Sequence, residues 1–174
     1  MTIAEYIVKC LEDNGITHCF SVVGGGSMYL NDAFGKSKKI KTIYCHHEQA
    51  CAMAAVAYSK LTGKTSVVCV TTGCGATNTI TGLLDAWQDY VSVLFISGQV
   101  NEKDCYRHYE GLRGNGIQEA DILSIVKPIV KYYGTLQKFD KENRVVEGLL
   151  DIVQANPSGP VWLECPLDVQ GAEI

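Results

Sequence analysis

Two near-solid apolar runs, Ser66–Thr71 and Val91–Ser97, most narrow what this chain can fold into. Apolar residues that do not alternate with polar ones need cover on both faces of a strand, which parallel sheets with helical crossovers provide. Four further runs read as strands: His18–Val23, Lys41–Cys45, Ile129–Tyr133 and Val161–Cys165. Helical patterns separate them. Thr2-Ile3-Ala4-Glu5 has the form of a capping box, and Tyr6, Ile7, Cys10 and Leu11 follow at helical spacing until Asn14-Gly15. Others cover Met28–Phe34, Glu48 to about Gly63, Ala76–Asp89 and Glu119–Val126. In the last helix Asp140 is the expected cap, with Val145, Val146, Leu149, Leu150 and Val153 on one face. The alternation predicts a doubly wound, mainly parallel six-stranded α/β sheet with helices on both faces. Ligands of such sheets bind beyond the carboxyl ends of the strands, at the topological switch point.

With 174 residues, 47% of them hydrophobic and 20% charged, the chain has the make-up of one soluble globular domain. A net charge of -4 and the lack of a Lys/Arg cluster argue against nucleic acid as a partner. Apolar stretches such as Val91–Ile96 fall well short of the ~20 residues that span a membrane. Glu5, Glu12 and Asp13 in the first helical pattern do not suit a signal peptide, so a cytoplasmic location is expected. The eight cysteines include no C-x-x-C pair and no histidine at finger-like spacing, so no metal site is expected. Cys19, Cys69 and Cys165 sit in apolar runs as small hydrophobes, which fits reduced thiols. Cys74 differs by lying in a glycine turn, where simple packing is still the expected role.

Glu48 is the residue with the strongest chemical signal. It opens a helix whose next residues, Gln49-Ala50-Cys51-Ala52-Met53-Ala54-Ala55-Val56-Ala57, read as a face buried on a sheet. A carboxylate there is costly to desolvate without a partner, which marks it as a functional candidate. Glycine-bearing turns follow three strands, at Val22–Gly26, Thr72–Thr77 and Ser97–Gly98. Neither Gly24-x-Gly26 nor Gly73-x-Gly75 completes a dinucleotide fingerprint, because Tyr29 and Asn78 stand where the third glycine belongs. Glu48 lies near the position of a ribose-binding acid, so a stand-alone nucleotide-binding or regulatory module stays open as the alternative. Gly98–Gly116 reads as a long polar loop, of a length usually kept for function or mobility.

In order and spacing, several segments resemble the pyrimidine-binding (PYR) domain of thiamine-diphosphate enzymes, on the acetolactate synthase branch. They are Val23-Gly24-Gly25, His47-Glu48-Gln49-Ala50, Thr72-Gly73-Cys74-Gly75-Ala76-Thr77-Asn78, Ser97-Gly98-Gln99-Val100, Gln118-Glu119, Ser158-Gly159-Pro160-Val161 and Pro166-Leu167-Asp168-Val169. The resemblance runs over nearly the whole chain. It implies a PYR domain over residues 1–170, with 171–174 starting a linker to a middle domain. It also implies thiamine diphosphate as cofactor, with Glu48 as the catalytic group at its pyrimidine N1' and Gln118 facing the 2-keto acid. Gly24, Gly25, Gly73, Gly75 and Asn78 would then be cofactor-binding, Asn78 having helix capping as its plain alternative, as does Gln118. His46 and His47 are read as positional.

The resemblance further implies Mg²⁺ held through a Gly-Asp-Gly sequence, which does not occur here. The expected partner is therefore a diphosphate-binding domain of the same or another subunit. Either an excised domain or one subunit of a split enzyme fits, and a homodimer or tetramer is expected. The branch admits FAD, which cannot be read from these residues. Val23, Cys74 and Ile117 depart from the proline, proline and phenylalanine usual on this branch, which leaves the acceptor open between carboligase and decarboxylase.

Overall fold

The computed structural model describes residues 1–138 and 144–174; the expected cap Asp140 lies outside them. In chain order the elements are α1 (Ile3–Asp13), β1 (His18–Ser21), α2 (Met28–Lys36), β2 (Lys41–Tyr44), α3 (Glu48–Thr62), β3 (Ser66–Val70), α4 (Cys74–Thr77), α5 (Ile80–Gln88), β4 (Val93–Gln99), α6 (Ile122–Val126), β5 (Tyr132–Thr135), α7 (Val145–Gln154), β6 (Val161–Pro166) and α8 (Leu167–Gln170). The strands form one six-stranded sheet in the order β2-β1-β3-β4-β6-β5. Every pairing is parallel.

Strand alternation divides the core in two. Cys19, Val67, Cys69, Leu94, Ile96, Val161, Leu163 and Cys165 point to the face covered by α1, α2 and α7. Phe20, Val68, Val70, Val93, Phe95 and Trp162 point to the face covered by α3, α5 and α6. Phe95 and Trp162 stack with ring centroids 5.4 Å apart, and Trp162 Nε1 donates to Ser97 Oγ at 3.0 Å. Burying such aromatics contributes several kcal/mol, on the order of 2 per side chain. Both sheet faces are thus apolar, as the unbroken runs require.

Local chemistry sets the element ends. Thr2 and Glu5 close a reciprocal capping box at α1, and Gly63 ends α3 in the left-handed region at φ 68°. The helix expected over Ala76–Asp89 is broken in two, because the buried Thr79 hydroxyl bonds back to Ala76 O at 2.7 Å. The helix expected from Glu119 begins only at Ile122, capped by Asp121, since Gln118 is left-handed at φ 58°. The fifth strand shifts to Tyr132–Thr135 because a 3-10 turn containing Pro128 occupies Lys127–Ile129. The long loop contains two further 3-10 turns, at Glu102–Asp104 and Tyr106–His108. The short helix α8 has no periodic signature in the sequence. Beside it Ala172 O accepts from Ile3 N at 2.9 Å and Ile174 N donates to Met1 O at 2.9 Å. No helix among the described residues is long and apolar enough to cross a membrane.

Six cysteines are buried, Cys45 is half-buried and Cys74 is exposed. Burial pushes the Cys51, Cys69 and Cys105 thiols up to about 12, far from the reactive thiolate range. Alkylation of the folded chain at neutral pH, mapped by mass spectrometry, is expected to modify Cys74 first and Cys45 slowly. Modification of Cys69 or Cys165 before unfolding would contradict this packing.

Candidate active site

The candidate residues gather at the carboxyl ends of β1, β2, β3 and β4. A cavity of about 540 Å³ opens there, lined on one side by Gly25, Gly26, Met28, Thr71 and Thr72. Gln99, Val100, Asn101 and Asp104 form a second side, and Asn115, Gly116, Ile117 and Gln118 a third. It lies at the topological switch point, where β1 and β4 flank β3 and the chain departs in opposite directions.

Glu48 stands beside this cavity, at the first position of α3. His47 precedes it as N-cap, its Nδ1 accepting from Gln49 N at 3.1 Å. A carboxylate in the first helical turn is favoured by the amide dipoles it faces. The expected burial of Glu48 is not found in this chain alone, because the helix mouth opens to the same face as the cavity and leaves it half-buried. Its partner within the chain is Asn78, whose Nδ2 donates to Glu48 Oε2 at 2.9 Å. Asn78 ends α4 through its backbone amide, and its side chain caps neither α4 nor the following helix, whose N-cap is Thr79. That side chain orients the carboxylate. Glu48 Oε1 lies 3.3 Å from where a Cβ on Gly75 would stand, so the bare glycine keeps clearance beside that oxygen.

The other glycines have different neighbours. A Cβ on Gly24 would come within 2.4 Å of Thr71 Cβ, so this turn packs directly on the end of β3. Gly25 has open space in that direction and lines the cavity. Gly73 takes φ 58°, and a Cβ there would stand 1.6 Å from Gln118 O. That contact seats Gln118 on the cavity wall. Gln118 caps nothing, and a left-handed non-glycine costs on the order of 1–3 kcal/mol, the kind of strain found at sites.

Glu48, Gly75 and Asn78 therefore form one cluster, while Gly25 and Gln118 face the cavity and Gly24 and Gly73 support it. Thr71 joins the two groups and was missed from sequence. Its Oγ1 accepts from Gly26 N at 3.1 Å, and its Cγ2 lies 2.7 Å from the Cβ position of Gly75. Its place directly before the glycine turn was the available signal. Asn101, Asp104 and Asn115 were missed as well, because only the folded loop brings them to the cavity. Asn115 Nδ2 donates to Asp104 O at 3.0 Å, and Asn101 Nδ2 to Asp104 Oδ2 at 2.9 Å. Val23 at 61% exposure, Ile117 at 87% and the exposed Cys74 all lie on this end of the sheet. Among the described residues no cluster of three or more His, Cys, Asp or Glu side chains suits a metal ion.

Residues 1–125 match the family model for the thiamine pyrophosphate enzyme, N-terminal TPP binding domain. The chain is 36% identical over 167 residues to the acetolactate synthase large subunit of Buchnera aphidicola, covering 95% of this chain and 28% of that protein. It is 34% identical to the acetolactate synthase isozyme 2 large subunit of Escherichia coli, with 96% and 29% covered. The large subunit of Lactococcus lactis is 32% identical, with 98% and 28% covered. The chain thus spans under a third of the length of these relatives. With its parallel doubly wound sheet, the chain belongs to the thiamine pyrophosphate enzyme family, in which it corresponds to the N-terminal TPP-binding domain.

Proposed function

We propose that this chain supplies the pyrimidine side of a thiamine-diphosphate site in a protein acting on 2-keto acids, as an acetolactate-synthase-like carboligase or decarboxylase. Glu48 is the proton-handling group of that site. The observation that carries this reading is the arrangement of its carboxylate: one oxygen is fixed by Asn78, and the other sits beside the bare Cα of Gly75. An oriented carboxylate with clearance at one oxygen fits a protonated ring nitrogen, here N1' of the aminopyrimidine. When bound, the cofactor supplies an electron sink at its thiazolium C2 for the carbonyl of a 2-keto acid.

The chain's own residues then have separable tasks. Glu48 holds or moves a proton at N1', and Asn78 keeps the carboxylate in register for that transfer. Gly25 leaves the approach to the cavity clear of side chains. Gln118 and Thr71 line the space for the 2-keto acid. Mg²⁺ and the diphosphate belong to a separate domain that closes over this face and completes the burial of Glu48.

The open face also supports self-association. Met53 and Leu61 on α3, with Leu84 and Trp87 on α5, are exposed at 46%, 88%, 40% and 38%. The two helices pack tightly where a Cβ on Gly82 would stand 2.5 Å from Ala52 Cβ, so exposed apolar side chains stand on two adjacent helices. A homodimer through these helices covers them.

Two outcomes are expected. In the longer protein that carries this domain, Glu48→Gln keeps the fold and lowers the rate of cofactor C2–H exchange, measured by NMR in deuterated buffer, by about 100-fold or more. Exchange at the wild-type rate would remove Glu48 from the proton path. Sedimentation velocity of the present chain is expected to show a dimer that Leu84→Glu converts to monomer; a wild-type monomer at high concentration would contradict the self-association.

A further inference from the structure

The loop after β4 is tied to the sheet by one buried carboxylate. Glu164, on β6 and 1% exposed, does not line the cavity itself but lies behind Gln99, which does. Its Oε2 accepts from Arg107 Nη1 at 3.1 Å and from Thr135 Oγ1 at 2.8 Å. Its Oε1 accepts from Gln99 Nε2 at 2.8 Å, and the same amide nitrogen donates to Ala120 O at 3.2 Å. Glu164 therefore holds both arms of the segment. Arg107 lies on the outgoing arm, and Ala120, reached through Gln99, lies on the returning one.

A second carboxylate joins the arms to each other. Glu119 Oε1 accepts from Tyr106 N at 2.7 Å, and Oε2 from Asn115 N and Gly116 N at 2.8 and 3.1 Å. Between these anchors stands Gln118, left-handed and pressed against Gly73. Nothing in Gln118's own side chain accounts for that geometry. Its neighbours impose it. We infer that Glu164 and Arg107 are positioning residues: their ion pair, buried at the Glu164 end, holds the 100–120 segment closed and so sets Gln118 in the cavity wall. Arg107 also pairs with Glu102 Oε2 at 2.7 Å, within the same segment, so its guanidinium is fixed on both sides. Removing Arg107 leaves the buried Glu164 carboxylate with only the neutral donors Thr135 and Gln99 and no opposing charge, which is disfavoured in a low-dielectric interior.

The lock itself is independent of the proposed activity, whereas its effect on substrate rests on that reading. Hydrogen exchange followed by mass spectrometry or NMR on the present chain tests the lock. Arg107→Ala is expected to lower the melting temperature and to speed exchange at Asn115, Gly116 and Glu119 on the order of tenfold or more. In Arg107→Ala/Glu164→Gln no buried charge is left unpaired. The melting temperature then recovers most of the loss, while the loop amides keep exchanging fast. Exchange at the wild-type rate in that double variant, or in the single one, overturns the lock. In the longer protein, the double variant is expected to raise KM for the 2-keto acid about tenfold with thiamine-diphosphate affinity unchanged. Fast loop exchange with an unchanged KM overturns the positioning role alone. Wild-type protein without thiamine-dependent turnover sinks the proposed function, and the exchange result still decides the lock.

Discussion

The candidate site takes its shape from two glycine turns that pack on the Thr71 side chain at the carboxyl end of β3. Thr71 fills the space that side chains on Gly24 and Gly75 would take, and its hydroxyl ties down the Gly26 amide. Gly98 repeats the device on the next strand, where a Cβ would stand 1.9 Å from Gly26 O. Buried Gln170 adds a third restraint by donating to Gly26 O and to Cys165 O, at 2.8 and 2.7 Å. Three strand ends are thereby drawn to one point, with the helix mouth that carries Glu48 beside them. A single methyl group at several of these positions would displace the turn.

Glu48 is held by geometry rather than by an opposing charge. Asn78 is a neutral partner that orients the carboxylate through one hydrogen bond. An Arg or Lys in the same place would hold the proton off. Under the proposed function, the half-exposed state of Glu48 fits one side of a larger site, where a second surface closing over the helix mouth would supply the desolvation that strengthens a proton-sharing hydrogen bond.

Much of the fold was legible because solid apolar runs leave few alternatives. Ser66–Val70 and Val161–Pro166 alternate their contacts between the two cores as covered parallel strands must. Boundaries failed where a side chain competed with the backbone. Thr79 interrupts one helix with its hydroxyl, and left-handed Gln118 delays another, and neither event has a periodic signature. Of the candidate site, Glu48 stood out as a carboxylate opening an apolar helix and the glycines as turns after strands, and Gln118 came from the family resemblance alone, whereas the way the third wall folds around Gln118 has no signature in the sequence. That wall depends on Arg107 meeting Glu164, residues 57 apart in sequence, and on Glu119 gathering amides from two arms of a loop.

In the proposed site the Glu48 carboxylate governs protonation at the cofactor's pyrimidine N1'. Nitrogen NMR of N1'-labelled thiamine diphosphate, bound to the longer protein, reads that state directly. The expected result is an N1' resonance moved toward the protonated form at neutral pH and returned toward the free cofactor's position in Glu48→Gln. An N1' resonance identical in the wild type, the variant and free solution would contradict it.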